Sequence, residues 1–331
     1  MAGRRQKKSG RRSYAWRYRG RIVACVFVEV IIICALVIMI GWNKGVKEWF
    51  EQFEQPVLKE VDISGINSPN AILMQARGGK ILGEINGEAQ IYPASMTKIM
   101  TVILGIENFD DLDEKITLTN EMFTGLYEQD ATQAGFQPGE EVRVIDLLYG
   151  AMLPSGAECC IALADTISGS EADFAELMNK KARKLGMENT NFCDSTGLHN
   201  PDHYSTVKDI AVLMKYCIKN DTFREIVETS RHSTGVTNIH PDGITYYSTM
   251  FKNLSDPTVT GGKILGGKTG YTSEAGHCLV SFAEIEGREY IFVSAGASGA
   301  DGNTIPHIQD AVTVYNRVGA AIEAKMNNNN K

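Results

Sequence analysis

The sequence predicts an α/β fold of the α+β type. An antiparallel sheet is flanked by helices and stands beside an all-helical lobe, and one transmembrane helix precedes them. Three observations predict this. Residues 22–42, IVACVFVEVIIICALVIMIGW, are apolar apart from Glu29. Two strand-pair signals stand at opposite ends of the remaining chain. Between them most of the signal is helical, and the end strands can bury their apolar faces only by pairing.

Taken in order, residues 1–21 hold nine basic residues and no acid. The apolar run that follows has the roughly 20 residues a bilayer-spanning helix needs. It exceeds the roughly 7–15 apolar residues of a cleaved signal peptide, and no Ala-x-Ala follows it. It therefore reads as an uncleaved signal anchor, with 1–21 as a cytoplasmic tail and the body outside the membrane. Residues 43–65 read as a mixed, acidic stalk. NAILMQARGGKILGEIN gives two strands about Gly78-Gly79. A helix starts near Ser95. Asp146–Tyr149 and Cys159–Ile167 read as two helices broken at PSGAE. SEADFAELMNKKARKLG opens on a capping box, Ser170 and Asp173, carries Phe174, Leu177, Met178 and Leu185 on one face, and stops at Gly186. TVKDIAVLMKYCI opens on Thr206 and Asp209 in the same way. Two more strands lie about Glu286-Gly287, and a last helix runs from Pro306 to about Ala324. These boundaries give one domain over 66–322 and a disordered polar tail over 323–331.

The chain has 331 residues, 43% of them hydrophobic, enough for a sizeable core. Beyond the tail, 24 of the 33 basic residues face all 40 acidic ones, a net of −16. So acidic a body excludes nucleic acid as a partner, because phosphate binding needs a basic surface. Seven cysteines at irregular spacing form neither a disulfide framework nor a zinc ribbon and read as small buried residues. His199 and His203 are four apart, but Pro201 places them in a loop, and no metal or other cofactor is expected. Tyr246, Tyr247 and Phe251 read as core or groove wall.

Three short motifs carry the chemistry. SMTK holds Ser95 and Lys98, SGA holds Ser155 at a helix break, and KTG holds Lys268, Thr269 and Gly270. A serine hydroxyl attacks only when a base takes its proton. Residues three apart share a helix face, so Lys98 Nζ can reach Ser95 Oγ. That base must be uncharged, and burial together with a like charge, here Lys268, lowers a lysine pKa. The other reading makes Ser95 and Lys98 ordinary first-turn residues. A second Ser-x-x-Lys, Ser205 to Lys208, stands in a helix cap without partner motifs and reads as structural.

Ser-x-x-Lys, a central serine motif and Lys-Thr-Gly, in that order, are the acyl-serine set of penicillin-binding proteins and class A β-lactamases. With YPASMTKIMT, GEEVRVIDLLYGAMLPSGAE, NTNFCDSTGL, HYSTVKDIA and GGKTGYTSEAGHCL around them, residues 66 to about 320 resemble low-molecular-mass penicillin-binding proteins of the serine D-alanyl-D-alanine carboxypeptidase type. The resemblance implies the β-lactamase/penicillin-binding-protein transpeptidase-like fold and a bacterial cell-membrane location with the catalytic domain outside. It implies peptidoglycan stem peptides as substrates and β-lactams as covalent inhibitors. It implies Ser95 as nucleophile, Lys98 as general base and Ser155 as proton relay. Lys268 and Thr269 would hold the substrate carboxylate, and the backbone N–H of Tyr271, after Gly270, would complete an oxyanion hole with that of Ser95.

The chain departs from the family where its second motif ends, with Ala157 in place of asparagine. That amide normally contacts the active-site lysine, and either Glu158 or a nearby backbone group is left to replace it. Many relatives also carry a second, all-β domain and a C-terminal anchor. Here the N-terminal span is expected to do the tethering. The same site could serve a D,D-endopeptidase. A β-lactamase would need a deacylating glutamate, and the candidate ELMN at 176–179 falls inside an amphipathic helix. Loss of the asparagine also admits a catalytically silent, penicillin-binding wall sensor.

Overall fold

The computed structural model describes residues 58–254, 256–299 and 305–329. The basic tail, the span over 22–42 and all of the stalk up to residue 57 lie outside the described residues. Among the described residues no helix is long and apolar enough to cross a membrane. Residues 57–331 form one compact unit.

The two hairpins form where the turn residues place them. Asn70–Gln75 (β1) pairs with Ile81–Ile85 (β2) across Gly78 and Gly79, both at positive φ. Gly276–Ile285 (β9) pairs with Arg288–Ala297 (β10) across Glu286 and Gly287, also at positive φ. Thr258–Val259 (β7) and Gly262–Thr272 (β8) complete an antiparallel six-stranded sheet in the order β2-β1-β10-β9-β8-β7. The first strand of the chain therefore lies beside the last, Asn70 opposite Ala295. Between them come the short strands Lys115–Thr117 (β3) with Glu141–Arg143 (β4), and Arg231–Ser233 (β5) with Thr245–Tyr247 (β6).

Helices Lys98–Asn108 (α1), Val144–Met152 (α2), Ala157–Ser168 (α3), Glu171–Leu185 (α4), Val207–Cys217 (α5) and Asp221–Glu228 (α6) make the lobe. The caps read from sequence are present. Ser170 and Thr206 accept hydrogen bonds from the N–H groups of Asp173 and Asp209, and Gly186 closes α4 at φ 80°. Helix α1 is the informative exception. Ile99, Thr101, Val102, Ile103 and Ile106 are β-branched and form helices poorly. Tertiary burial overrides propensity, since Lys98 to Gly105 are all buried, and each buried Ile or Met contributes about 1.5–3 kcal/mol.

Two cores cover the sheet's faces. One joins Ile72, Val280 and Phe282 to α1 to α6, and the other joins Leu73, Ala283 and Phe292 to the last helix, Pro306–Asn329 (α8). The five-residue helix Thr249–Asn253 (α7) packs against β8. Two boundaries differ from the sequence reading. Leu58, Val61 and Ile63, assigned to the stalk, are buried in the second core, and Val61 bonds the Leu82 carbonyl. Their apolar side chains fill the sheet face beside β2. Helix α8 also continues to Asn329 through the stretch read as a disordered tail. Once packing through Tyr315, Val318 and Ile322 has nucleated it, each added residue gains a hydrogen bond, and asparagine costs under about 0.7 kcal/mol. Of the tyrosine pair, Tyr246 is buried but Tyr247 is exposed.

Candidate active site

Ala94–Thr97 forms a 3₁₀ turn that leads directly into α1. In that geometry residues i and i+3 eclipse. Ser95 is half-buried and Lys98 is 3% exposed, and Lys98 Nζ donates to Ser95 Oγ at 3.1 Å. Ala94 takes φ +46°, a conformation that costs an L-residue about 1–2 kcal/mol and that the surroundings must enforce. Ser95 stands in the first turn, so its N–H has no partner within the helix.

The second partner of Lys98 comes from 98 residues away. Its Nζ donates to the Thr196 carbonyl at 2.7 Å. That carbonyl is aimed by Asp194, whose Oδ1 accepts from the N–H groups of Thr196 and Gly197 and from the Thr196 hydroxyl, each at 2.7 Å. Asp194 Oδ2 lies 3.1 Å from His203 Nδ1, and His203 Nε2 lies 2.9 Å from Thr97 Oγ1, two residues after Ser95. Burial would raise the Asp194 carboxyl, but the bonds to His203, Thr196 and Gly197 outweigh it and hold it down at about 2. The hydrogen-bond partners of Lys98 are thus Ser95 and a backbone carbonyl, not Glu158. Glu158 turns elsewhere: Oε1 accepts from the N–H groups of Ala134 and Gly135 at 2.6 and 2.9 Å, and burial raises its pKa.

Ser155 sits in the break between α2 and α3 at φ +76°, the left-handed region. Its Oγ accepts from Lys268 Nζ at 3.0 Å, across 113 residues. Lys268 is 1% exposed and also bonds the Thr269 carbonyl. It therefore points inward, toward Ser155. Thr269 Oγ1 is 2.7 Å from Thr249 Oγ1. A Cβ at Gly270 would stand 3.0 Å from Ser95 N and 3.2 Å from Pro93 O, so the strand approaches the nucleophile turn only because this residue is glycine. Ser95, Ser155, Thr249, Thr269, Gly270 and Tyr271 share one open cleft of about 740 Å³ with Asp130, Thr132, His277 and His307.

Burial lowers the pKa of Lys98 against the pull of Asp194 and Glu158. Lys268 is pushed well below its ordinary value by burial and then by Lys98. Burial, rather than the neighbouring charge expected from sequence, is what depresses Lys98. The two buried lysines repel each other, so a proton carried by one favours loss from the other. The arrangement can therefore deprotonate Ser95, pass a proton through Ser155 and Lys268, and offer the Ser95 N–H to a developing oxyanion.

The motifs form two hydrogen-bonded serine–lysine pairs, Ser95 with Lys98 and Ser155 with Lys268, and both serines line the same cleft. Thr196, Asp194, His203 and Thr249 carry no motif of their own, and only the run NTNFCDSTGL with HYST could have drawn attention to three of them. Elsewhere Lys208 pairs with Glu88 and Ser205 Oγ meets Thr190, while Glu176 is exposed on α4. Cys159, Cys160, Cys217 and Cys278 are buried free thiols and Cys193 is partly buried.

The D-alanyl-D-alanine carboxypeptidase family profile matches residues 57–299. D-alanyl-D-alanine carboxypeptidase DacF of Bacillus subtilis (strain 168) is 35% identical over 233 residues, covering 69% of this chain and 57% of that protein. DacC of Escherichia coli (strain K12) is 33% identical over 262 residues, covering 72% and 58%. The chain thus spans less than two thirds of the length of these relatives. The D-alanyl-D-alanine carboxypeptidase of Streptomyces sp. (strain K15) is 34% identical over 236 residues, 69% of this chain and 78% of that one. The crystal structure of the Streptomyces K15 DD-transpeptidase superposes with a TM-score of 0.71 at 29% identity, over 79% of this chain and 100% of the other.

Proposed function

The chain belongs to the D-alanyl-D-alanine carboxypeptidase family, and from that premise we propose that it is a membrane-anchored serine carboxypeptidase that removes the terminal D-alanine from peptidoglycan stem peptides. The observation that carries this reading is the buried Lys98 with Nζ 3.1 Å from Ser95 Oγ, beside the second pair, Lys268 and Ser155. Ser95 Oγ attacks the carbonyl between two D-alanines while neutral Lys98 takes its proton. The N–H groups of Ser95 and Tyr271 receive the oxyanion. The C–N bond breaks, the departing amine gains a proton through Ser155, and water then hydrolyses the acyl-Ser95 ester. The Thr269 and Thr249 hydroxyls reach the substrate carboxylate, with Lys268 behind them. A β-lactam is attacked in the same way, but its leaving group stays attached and the ester persists. Residues 22–42 anchor the enzyme, with the catalytic domain outside the bacterial cell membrane.

The test is release of D-alanine from a diacyl-Lys-D-Ala-D-Ala peptide by the full chain in detergent. Ser95→Ala and a penicillin-treated sample run alongside. Release that both controls abolish is the expected result. Intact peptide, with penicillin still bound at Ser95, would sink the carboxypeptidase. A second reading has one observation in its favour: the neighbour matched over its whole length is a DD-transpeptidase. Adding an amine acceptor to the same assay and finding the exchanged peptide in place of free stem would decide for transfer.

The acid side of the pH profile follows from Lys98. Its pKa is lowered, so it stays uncharged, and able to accept the proton, below the ordinary lysine range of about 10.4. Acylation by penicillin is expected to hold its rate down to that lowered pKa and then to fall about tenfold per pH unit. Labelling rates taken from pH 5 to 10 check this. A decline that begins at pH 10 would contradict it.

A further inference from the structure

We propose that the stacked pair His277 and His307 is a carboxylate-recognition element of the cleft, acting with the Thr249 and Thr269 hydroxyls, and that it makes the affinity for a carboxylate-ended substrate rise as pH falls. This rests on the carboxypeptidase reading, which needs a handle for a free carboxylate. No lysine or arginine lines the cleft among the described residues, and Lys268 is turned inward to Ser155. The two histidines add donors that can carry charge to a cleft otherwise lined by the Thr249 and Thr269 hydroxyls.

His277 lies opposite Tyr271 in the β8–β9 ladder, and their rings are 4.7 Å apart. It thus stands beside the residue that follows Lys-Thr-Gly. His307, in the first turn of α8, stacks on it at 5.1 Å with the rings 5° from parallel. Both line the cleft. His307 is 3% exposed, yet its Nδ1 has no hydrogen-bond partner. A buried ring nitrogen without a partner is a cost that a ligand oxygen would remove. The start of the 24-residue helix α8 adds a positive dipole end.

The titratable groups around the pair are Tyr271 on β8, Asp310 one turn along α8, and Asp130, which also lines the cleft. Asp310 spends both oxygens on Asn67 and Ser68. Burial and the neighbouring His277 push His307 down to about 4, and burial lowers His277. Without ligand the pair is therefore neutral near pH 7. A carboxylate against it supplies the counter-charge for one ring to take up a proton. Affinity then rises as pH falls from the pKa of the complex to that of the free pair. Above that window the rings offer neutral N–H donors only.

KM and kcat for D-alanine release by the full chain, from pH 5 to 9, test this in wild type, His307→Gln and His277→Asn. The expected result is a KM raised roughly tenfold at pH 6 with kcat within about twofold, and loss of the fall in KM toward acid pH. Unchanged KM with an unchanged pH profile in both variants overturns the proposal. Labelling of Ser95 by benzylpenicillin and by its methyl ester provides an independent reading. Wild type prefers the free acid, increasingly so at low pH, and the variants lose that preference. Equal acid-to-ester ratios in wild type and variants overturn the histidine proposal. Absence of D-alanine release by wild type overturns only the carboxypeptidase reading. If His307→Gln fails to fold, the less buried His277→Asn carries the test.

Discussion

Replacing Lys98 with alanine is expected to slow covalent labelling of Ser95 by penicillin by about 10²- to 10⁴-fold, the range for a lost general base. The side chain makes two hydrogen bonds, to Ser95 Oγ and the Thr196 carbonyl, and no other basic group contacts the serine hydroxyl among the described residues. The folded state should survive. An ammonium taken out of water is a burden on the fold, and the lowered pKa of Lys98 records that burden. The fold holds fewer protons on this lysine than the unfolded chain does, so wild-type stability rises with pH between the lowered and the ordinary lysine pKa. The alanine variant should lose that part of the pH dependence and melt no lower than wild type at neutral pH. Thermal melts beside labelling rates separate the two effects. Wild-type labelling by Lys98→Ala would remove the lysine from the mechanism.

Gly197→Ala should be the most damaging single methyl group in the molecule's centre. The new Cβ would stand 1.9 Å from the Ala94 carbonyl oxygen and 2.8 Å from Thr97 Oγ1, at φ +80°. Left-handed backbone alone costs an L-residue about 1–2 kcal/mol. Overpacking adds about 1–3 kcal/mol, so a loss of about 3 kcal/mol or more is expected in denaturant titration. The carbonyl it strikes belongs to the residue before Ser95, so labelling should fall even in the fraction that folds. Gly169→Ala is the control. It shares the strained φ, at +83°, but meets nothing within 4 Å. Equal stability losses in the two variants would refute the steric argument.

Sequence is most informative where chemistry or turn geometry is local. Gly78-Gly79 and Glu286-Gly287 mark hairpins because positive φ selects those residues. Ser95 and Lys98 are three apart and meet through one turn of helix. Ser155 and Lys268 are flagged by motif, not by any local property that would make them neighbours. What stays hidden depends on long-range packing. The Thr196 carbonyl has no side-chain signature, so nothing in the text of the chain says it meets Lys98. The inward turn of Lys268, from β8 toward Ser155, is set by burial. Residues 58–65 read as stalk although Leu58, Val61 and Ile63 are buried, because three spaced apolar residues give too short a period to separate a stalk from a strand-like cover. The order of strands is equally invisible, since alternation reports which face is buried and not which strand lies alongside.

That strand order governs how the molecule comes into being. Pairing β1 with β10 joins residues as far apart as Asn70 and Ala295. Closing a loop of some 225 residues costs on the order of 5 kcal/mol in chain entropy before any contact repays it. The lobe of α1 to α6 is built from contacts much nearer in sequence and can condense first. Ser95 is made early, but Lys268 and the strand that carries it come 173 residues later, about 10–35 s at ribosomal rates. Until β8 docks against the turn at Ser95, the serine has no oxyanion partner from that strand and Ser155 has no Lys268. On the proposed mechanism the nascent chain therefore carries Ser95 as a chemically idle nucleophile, and the reactive centre is assembled in one of the last events of folding.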